Sequence, residues 1–321
     1  MSNLREQYEA LTGDRSQFLT AAENAAELTL PPLFPRSDTA TADFEEPFDS
    51  FTGTAVVHLA SKMMTVMMPP NSAGFRLDVS GPVREELESD SQVWSEVQSI
   101  FTDKERAIMS ELETLGARSK LTLMLKLLVV TGNGCLWIRD EVANKMLTVV
   151  TLRDYVVKRD SDGKILRAII RRRITKEELP SGYIADADNE DIYLYAGCVR
   201  QPNGKYKYTE EIEGAARPDR TRVLDESPFI IPRWTIIPNS DYGIGLCGEN
   251  IGDIRTLEGL TQAITEYSAY LARNITLVRP GGMTSVKDLK EAENLDFIPG
   301  NSEDMQPEPK PNIGNIQPAR S

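Results

Sequence analysis

The apolar positions follow one period at the start of the chain and change it twice. Leu4, Tyr8, Leu11, Phe18, Ala22 and Ala25 recur at three-, four- or seven-residue intervals, the spacing of one helical face. Pro31 and Pro32 must end that helix, because proline supplies no amide to the ladder. Residues 38–51 are acidic and aromatic without a period and predict a loop. Val56, Leu59, Ala60, Met63 and Met67 then mark a second helix, stopped by Pro69 and Pro70, and the four methionines at its end read as gap-filling core. A short strand is predicted over 75–79. Val93, Trp94, Val97, Ile100, Phe101, Ile108, Leu112 and Leu115 predict one long helix starting near Glu85, and a further helix covers 120–130.

At Gly132-Asn133-Gly134 the pattern changes to short β-branched and aromatic runs separated by turn residues. The predicted strands are 135–139, 147–151, 155–159, 165–173, 191–199, 205–211 and 229–237, with hairpin turns at Asp162-Gly163 and Asn203-Gly204. Helices first and antiparallel strands second favour an α+β class over an alternating parallel fold. After Asn239 the helical period returns: Ile251, Ile254, Leu257, Leu260, Ile264, Tyr267 and Leu271 form one stripe on a long, isolated helix. A short strand over 275–278, the breaker Pro280-Gly281-Gly282 and a short helix near Leu289 follow. The proline-rich stretch 299–321 cannot close a core by itself.

Composition narrows the classes. With 321 residues, 40% hydrophobic and 26% charged, the chain has the make-up of a folded protein and exceeds the usual single-core size. A net charge of -13 argues against a surface that grips nucleic acid by neutralising phosphates. It does not argue against conducting DNA, since a like-charged wall is one a polyanion can slide past. Cys135, Cys198 and Cys247 are odd in number and far apart, which predicts free thiols in a reducing compartment and no cysteine metal pair. The first residues lack an apolar signal core, and the run 121–130 is broken by Lys126 and too short to span a bilayer, so the expectation is cytosolic synthesis and no membrane.

Tempting chemistry has structural explanations. Gly243-x-Gly245-x-x-Gly248 matches a dinucleotide fingerprint and precedes a helix, but no βαβ alternation surrounds it, so it reads as a structural turn feeding that helix. His58 is the only histidine and reads as a packed or capping residue rather than a triad member. The adjacent carboxylates Glu45-Glu46, Glu85-Glu86 and Glu177-Glu178 point apart in regular structure and read as solvated surface. Arg171-Arg172-Arg173 lies in a strand after an alternating run, where one or two of the three would face solvent or a neighbouring subunit, with a phosphate site as the alternative. No catalytic residue, no cofactor and no metal is therefore expected.

Six segments in order resemble the portal, or head-to-tail connector, proteins of short-tailed bacteriophages: LTLPPLFP (28–35), HLASKMM (58–64), LKLLVVTGNGCLWI (125–138), YVVKRDSDGKIL (155–166), DYGIGLCGENIGDIRTLEGL (241–260) and LVRPGGMT (277–284). The resemblance implies a peripheral wing over 1–245 (helical over 1–131, β-rich over 132–245), a stem helix over 246–273 and the start of a clip over 274–321. It implies a ring, usually of twelve subunits, at one capsid vertex of the virion, assembled in the host cytoplasm. It also implies contacts with the major capsid protein, the terminase large subunit, and tail adaptor and internal core proteins. Double-stranded DNA would pass through without sequence-specific binding. Family members continue into the rest of the clip, a second stem helix, a channel loop, more wing and a crown, so the expectation is that this sequence lacks that C-terminal half, either because the remaining polypeptide lies outside it or because the protein is a fragment or split version. On the stem, Ile251, Ile254, Leu257, Leu260 and Ile264 would pack between helices. Asp253, Glu258 and Glu266 would help form an acidic channel wall partly offset by Arg255 and Arg273, or else bridge neighbouring helices. A capsid or tail adaptor without a channel, and a nucleotide-binding enzyme using the three glycines, are the other function classes.

Overall fold

The computed structural model describes residues 3–36, 44, 46–70, 72–141, 144–175, 192–212, 215–216, 220–272, 276–279, 287 and 305–307. It divides into two compact units, Met1–Glu258 and Gly259–Ser321.

The first unit opens with helices α1 (Leu4–Glu27), α2 (Phe51–Met67), α3 (Pro82–Glu88), α4 (Ser91–Thr114) and α5 (Ala117–Thr131). The Asn3 side chain caps α1 by accepting the Glu6 amide, and the chain turns through a 3-10 helix at Pro31–Leu33. The single long helix predicted from Glu85 is instead two, because Asp90 adopts an extended conformation and caps a new helix by accepting the Gln92 and Val93 amides. The strand predicted over 75–79 is absent: Leu77 N donates to the Glu105 carboxylate at 2.6 Å rather than to a neighbouring strand. Of the α2-end methionines, Met64 and Met68 are buried, whereas Met67 is 47% exposed, so only part of that cluster is core. His58 lies exposed on α2, neither packed nor capping.

The strands follow as β1 (Cys135–Glu141), β2 (Asn144–Val150), β3 (Tyr155–Arg159), β4 (Ile165–Ile174), β5 (Ile192–Arg200), β6 (Tyr206–Ile212), β7 (Ala215–Ala216), β8 (Arg222–Leu224), β9 (Phe229–Ile230), β10 (Thr235–Ile236) and β11 (Gly243–Ile244). Every pairing among the described residues is antiparallel, in keeping with the α+β expectation. One sheet has the order β2-β1-β9; a larger one runs β3-β4-β5-β6-β7 with β8 also on β6. Gly163 and Gly204 take positive φ at the two predicted hairpin turns, where a side chain would be strained. The run predicted as one strand over 229–237 is two, β9 and β10, in different sheets. Pro232 lies between them and donates no ladder bond.

Helix α1 packs on one face of the larger sheet through Leu4 and Tyr8 against Val156, Ile169 and Tyr195. The main core fills the other side, where α5 and α2 meet Trp137, Tyr155, Ile170, Ala196, Phe229 and Tyr242. Each fully buried large apolar side chain there contributes roughly 1.5–3 kcal/mol. Arg15 is buried beneath the Tyr8 ring and donates Nη1 to the carbonyls of Leu152 and Tyr155. All three cysteines are free and buried, and burial pushes the Cys198 and Cys247 thiols up to about 11. The first unit ends with α6 (Leu246–Glu249) and the opening of α7 (Ile251–Ala272).

The second unit holds the remainder of α7 and the antiparallel pair β12 (Thr276–Val278) and β13 (Met305–Pro307), with Leu277 opposite Gln306. The short helix expected near Leu289 lies outside the described residues. Among the described residues no helix is long and apolar enough to cross a membrane, and no group of acidic, histidine or cysteine side chains could hold a metal ion.

Candidate functional site: the root of the long helix

Helix α7 springs from a junction between two turns far apart in sequence. Helix α5 stops at Gly132, which takes φ +76° and donates its amide to Leu128 O in a left-handed C-cap. A β-carbon at Gly132 would lie 2.2 Å from Gly245 N and from Ile244 C. The reciprocal holds: a β-carbon at Gly245 would lie 2.6 Å from Val130 O and 2.7 Å from Gly132 N. At Gly243 it would meet Thr235 O at 2.6 Å. These glycines let two backbones touch where any side chain would push them apart. Gly248 is less constrained, its nearest neighbour being the Ile244 side chain at 2.9 Å.

Asn133 locks the contact. Its buried side chain donates Nδ2 to Gly243 O at 2.7 Å and accepts Gly243 N on Oδ1 at 2.8 Å, as a neighbouring strand would. A second Nδ2 bond goes to Thr131 O, and Trp234 N donates to Gly132 O. Asp241 and Tyr242, just before the glycines, tie the junction to β3. Asp241 accepts Arg159 N on Oδ1 at 2.6 Å and pairs with Lys158 at 3.0 Å, while the Tyr242 hydroxyl accepts Val157 N at 3.2 Å. Burial, partly offset by that amide, pushes the Tyr242 phenol up to about 12, so it stays protonated. Gly243 and Gly245 thus face another turn of the same chain, and the helix that follows Gly245 is only the four residues of α6.

Beyond the junction the expected stripe divides. Ile251 and Ile254 are half-buried against the main core, whereas Leu257, Leu260 and Ile264 are 39%, 53% and 63% exposed. No residue of α7 is fully buried, although the helix is 22 residues long. Its charged groups divide too. Asp253 and Arg255 are exposed. Glu258 is half-buried and accepts Phe48 N on Oε1 and Asp49 N on Oε2, both at 2.8 Å. Glu266 accepts Gln262 Nε2 at 2.8 Å from its own helix. Arg273 lies outside the described residues. Of the arginine triplet, Arg171 pairs with Asp154 at 3.7 Å and lies over the rings of Tyr8 and Tyr193.

Sequence reading missed Asn133, Asp241, Tyr242 and the bonds of Glu258. An asparagine between two glycines reads as an ordinary turn, and its long-range partner carries no signal in a linear pattern. The pair Asp241-Tyr242 directly before the glycines was the one available hint.

Comparison with known proteins agrees with this architecture. The chain is 32% identical over 314 residues to the portal protein of Enterobacteria phage T3, covering 93% of this chain and 58% of that protein. It is similarly 32% identical over 313 residues to the portal protein of Escherichia phage T7, with coverage of 93% and 58%. To the portal protein of Pseudomonas phage phiKMV it is 28% identical over 273 residues, 81% of this chain and 53% of that one. It therefore spans somewhat over half the length of the curated relatives it matches. With its whole length, residues 1–321, matching the family described as bacteriophage head to tail connecting protein, the chain belongs to that family.

Proposed function

We propose that this chain builds the wing and the first stem helix of a portal ring, a non-enzymatic conduit for double-stranded DNA during packaging and ejection. In this reading 1–245 are wing, 246–273 stem and 274–321 the start of the clip. The observation that carries it is α7, a 22-residue helix seated on a close-packed root yet with Leu257, Leu260 and Ile264 left in solvent. A helix owes most of its stability in water to packing of its apolar face, so such a stripe calls for neighbours. Copies of the same helix around a ring, twelve in the family's usual arrangement, would supply them. At a capsid vertex the ring would meet the major capsid protein, internal core proteins, the terminase large subunit and later the tail adaptor.

Electron microscopy of the purified full-length protein tests this, with rings bearing a central channel as the expected result. Particles without a channel would move the reading to a capsid or tail adaptor. The acidic wall is a separate element of the proposal. Copies at -13 each would bring on the order of -150 charges to one ring, a field the channel would focus on passing DNA. Asp253 and Glu266 are its candidate members, with Arg255 and Arg273 offsetting them. Changing both acids to lysine should leave rings intact but make them retain DNA with steep salt dependence. Rings that dissociate with DNA affinity unchanged would assign these charges to subunit contacts instead.

A further inference from the structure

Helix α7 is fastened by polar bonds at a second place besides the glycine junction, and the two fastenings differ in kind. The junction is backbone against backbone at the foot of the helix. The second lies seven residues and about 10 Å of helix rise further on, at Glu258. There one carboxylate takes two amides of the segment before α2, Phe48 N and Asp49 N. Asp49 is buried and continues the chain of bonds: its Oδ1 accepts Phe51 N, and its Oδ2 accepts both the amide and the hydroxyl of Thr52. Helix α2 is in turn anchored in the core through Val56 and Ala60. Segment 46–51 is therefore a strut between a fixed helix and a point two turns along α7.

Packing of the strut's rings is not what holds it there. Phe48 is 48% exposed and Phe51 73%, so the backbone amides and the carboxylate carry the fastening. Hydrogen bonds to an ionised acceptor are the stronger kind. Ile251 and Ile254 pack the first turn of the helix against the core, and a polar fixed point one turn beyond Ile254 limits how far the helix can swing about that contact. We propose that Glu258 is a positioning residue: with the glycine junction, it sets the direction in which the first two turns of α7 leave the wing core. Its carboxylate accordingly faces the wing segment and takes no part in a channel wall. One consequence rests on the portal reading, namely that in a ring this direction, repeated in every subunit, sets how far apart the stem helices stand. The fastening itself does not depend on that reading.

The test uses the full chain with Glu258→Ala and the near-isosteric Glu258→Gln. Hydrogen exchange should rise about tenfold or more at the Phe48 and Asp49 amides in Glu258→Ala, with an intermediate rise in Glu258→Gln, which keeps one acceptor oxygen. The Thr52 amide, held by Asp49, should exchange as before. Spin labels on Lys62→Cys in α2 and Thr256→Cys in α7 give the second readout, a distance distribution expected to broaden when Glu258 is replaced. Unchanged exchange at Phe48 and Asp49 would overturn the proposal. So would faster exchange with an equally narrow distance distribution, since the strut would then be loose without freeing the helix. If Glu258→Ala does not fold, the same two criteria apply to Glu258→Gln. Whether the wild-type protein forms channelled rings is read separately by microscopy, so either idea can fail alone.

Discussion

The glycine junction and the helices α4 and α7 show two ways in which one chain treats its surface. At the junction, Gly132, Gly243 and Gly245 bring backbones within touching distance and Asn133 satisfies the buried peptide groups. Nothing from outside is needed there. Helix α4 is 24 residues long and α7 is 22, yet neither has a buried residue, and each carries apolar positions at helical spacing that solvent still reaches. The contrast separates what this polypeptide completes by itself from what it offers to others. A closed region should be sensitive to mutation in isolation, whereas an offered region should be sensitive only where a partner is present.

Alanine in the closed region should have the largest effect on the chain's own stability. At Gly132 it would combine φ +76° with a β-carbon 2.2 Å from backbone atoms that cannot move aside, so Gly132→Ala should cost several kcal/mol, about 3 or more, and yield insoluble protein. Gly252→Ala and Gly259→Ala on α7 should do the opposite. Nothing lies within 4 Å of a β-carbon at either position, and both should gain about 0.5–1 kcal/mol in chemical denaturation. Equal effects at the two kinds of site would dissolve the comparison.

Asn133→Ala comes next. It strands the amide and carbonyl of Gly243 in the interior, and a loss of about 2–4 kcal/mol in urea unfolding is expected. A smaller loss, about 1 kcal/mol, is expected for Asp49→Ala, which removes the carboxylate that accepts the first two amides of α2. Burial of Asp49 opposes its charge, but bonds from the Thr52 hydroxyl and the Phe51 and Thr52 amides outweigh this and hold the carboxyl below its ordinary value. The native state thus favours ionised Asp49. Its contribution is present at neutral pH and lost as pH falls through the depressed value, so the difference between wild type and Asp49→Ala should shrink in acid.

The smallest effect on the isolated chain is expected at Leu257→Asp. The side chain is 39% exposed, so unfolding should change by less than about 1 kcal/mol. Assembly should fail all the same, because in a packed helix seam the same aspartate would be an uncompensated buried charge. Size-exclusion chromatography showing an intact oligomer would remove Leu257 from any seam.

Much of this fold was legible in the sequence where one period governs a whole element. Leu4–Glu27, Ala117–Thr131 and Ile251–Ala272 fall where helical spacing places them, and Tyr155–Arg159 falls on its predicted strand without a shift. Misreadings came where a local group overrode the pattern. Asp90 starts a new helix before the stripe, separating α3 from α4 where one helix from Glu85 is predicted, and Pro232 lies where one predicted β run divides between two sheets. At the root of α7 the glycines were legible as a turn, but their partner was not, since nothing near Gly243 in sequence points to Asn133. The charges on α7 are expected in an acidic channel wall or in bridges between neighbouring helices, yet Glu258 turns to Phe48 and Asp49, residues more than two hundred positions away.

The junction also bears on how such a sequence can drift. Its contacts are made by peptide groups and by the lack of side chains, so no graded series of replacements exists at Gly132, Gly243 or Gly245: a change there is all or nothing. A few residues further along the chain, Asp253 and Arg255 are exposed and Leu257 is 39% exposed, and replacements there are expected to leave the fold that carries them undisturbed. From Gly245 to Asp253, tolerance to substitution is therefore expected to pass from low to high. A saturation library over 241–266, sorted first for soluble expression and then for assembly, would show that boundary as two different maps of tolerated residues.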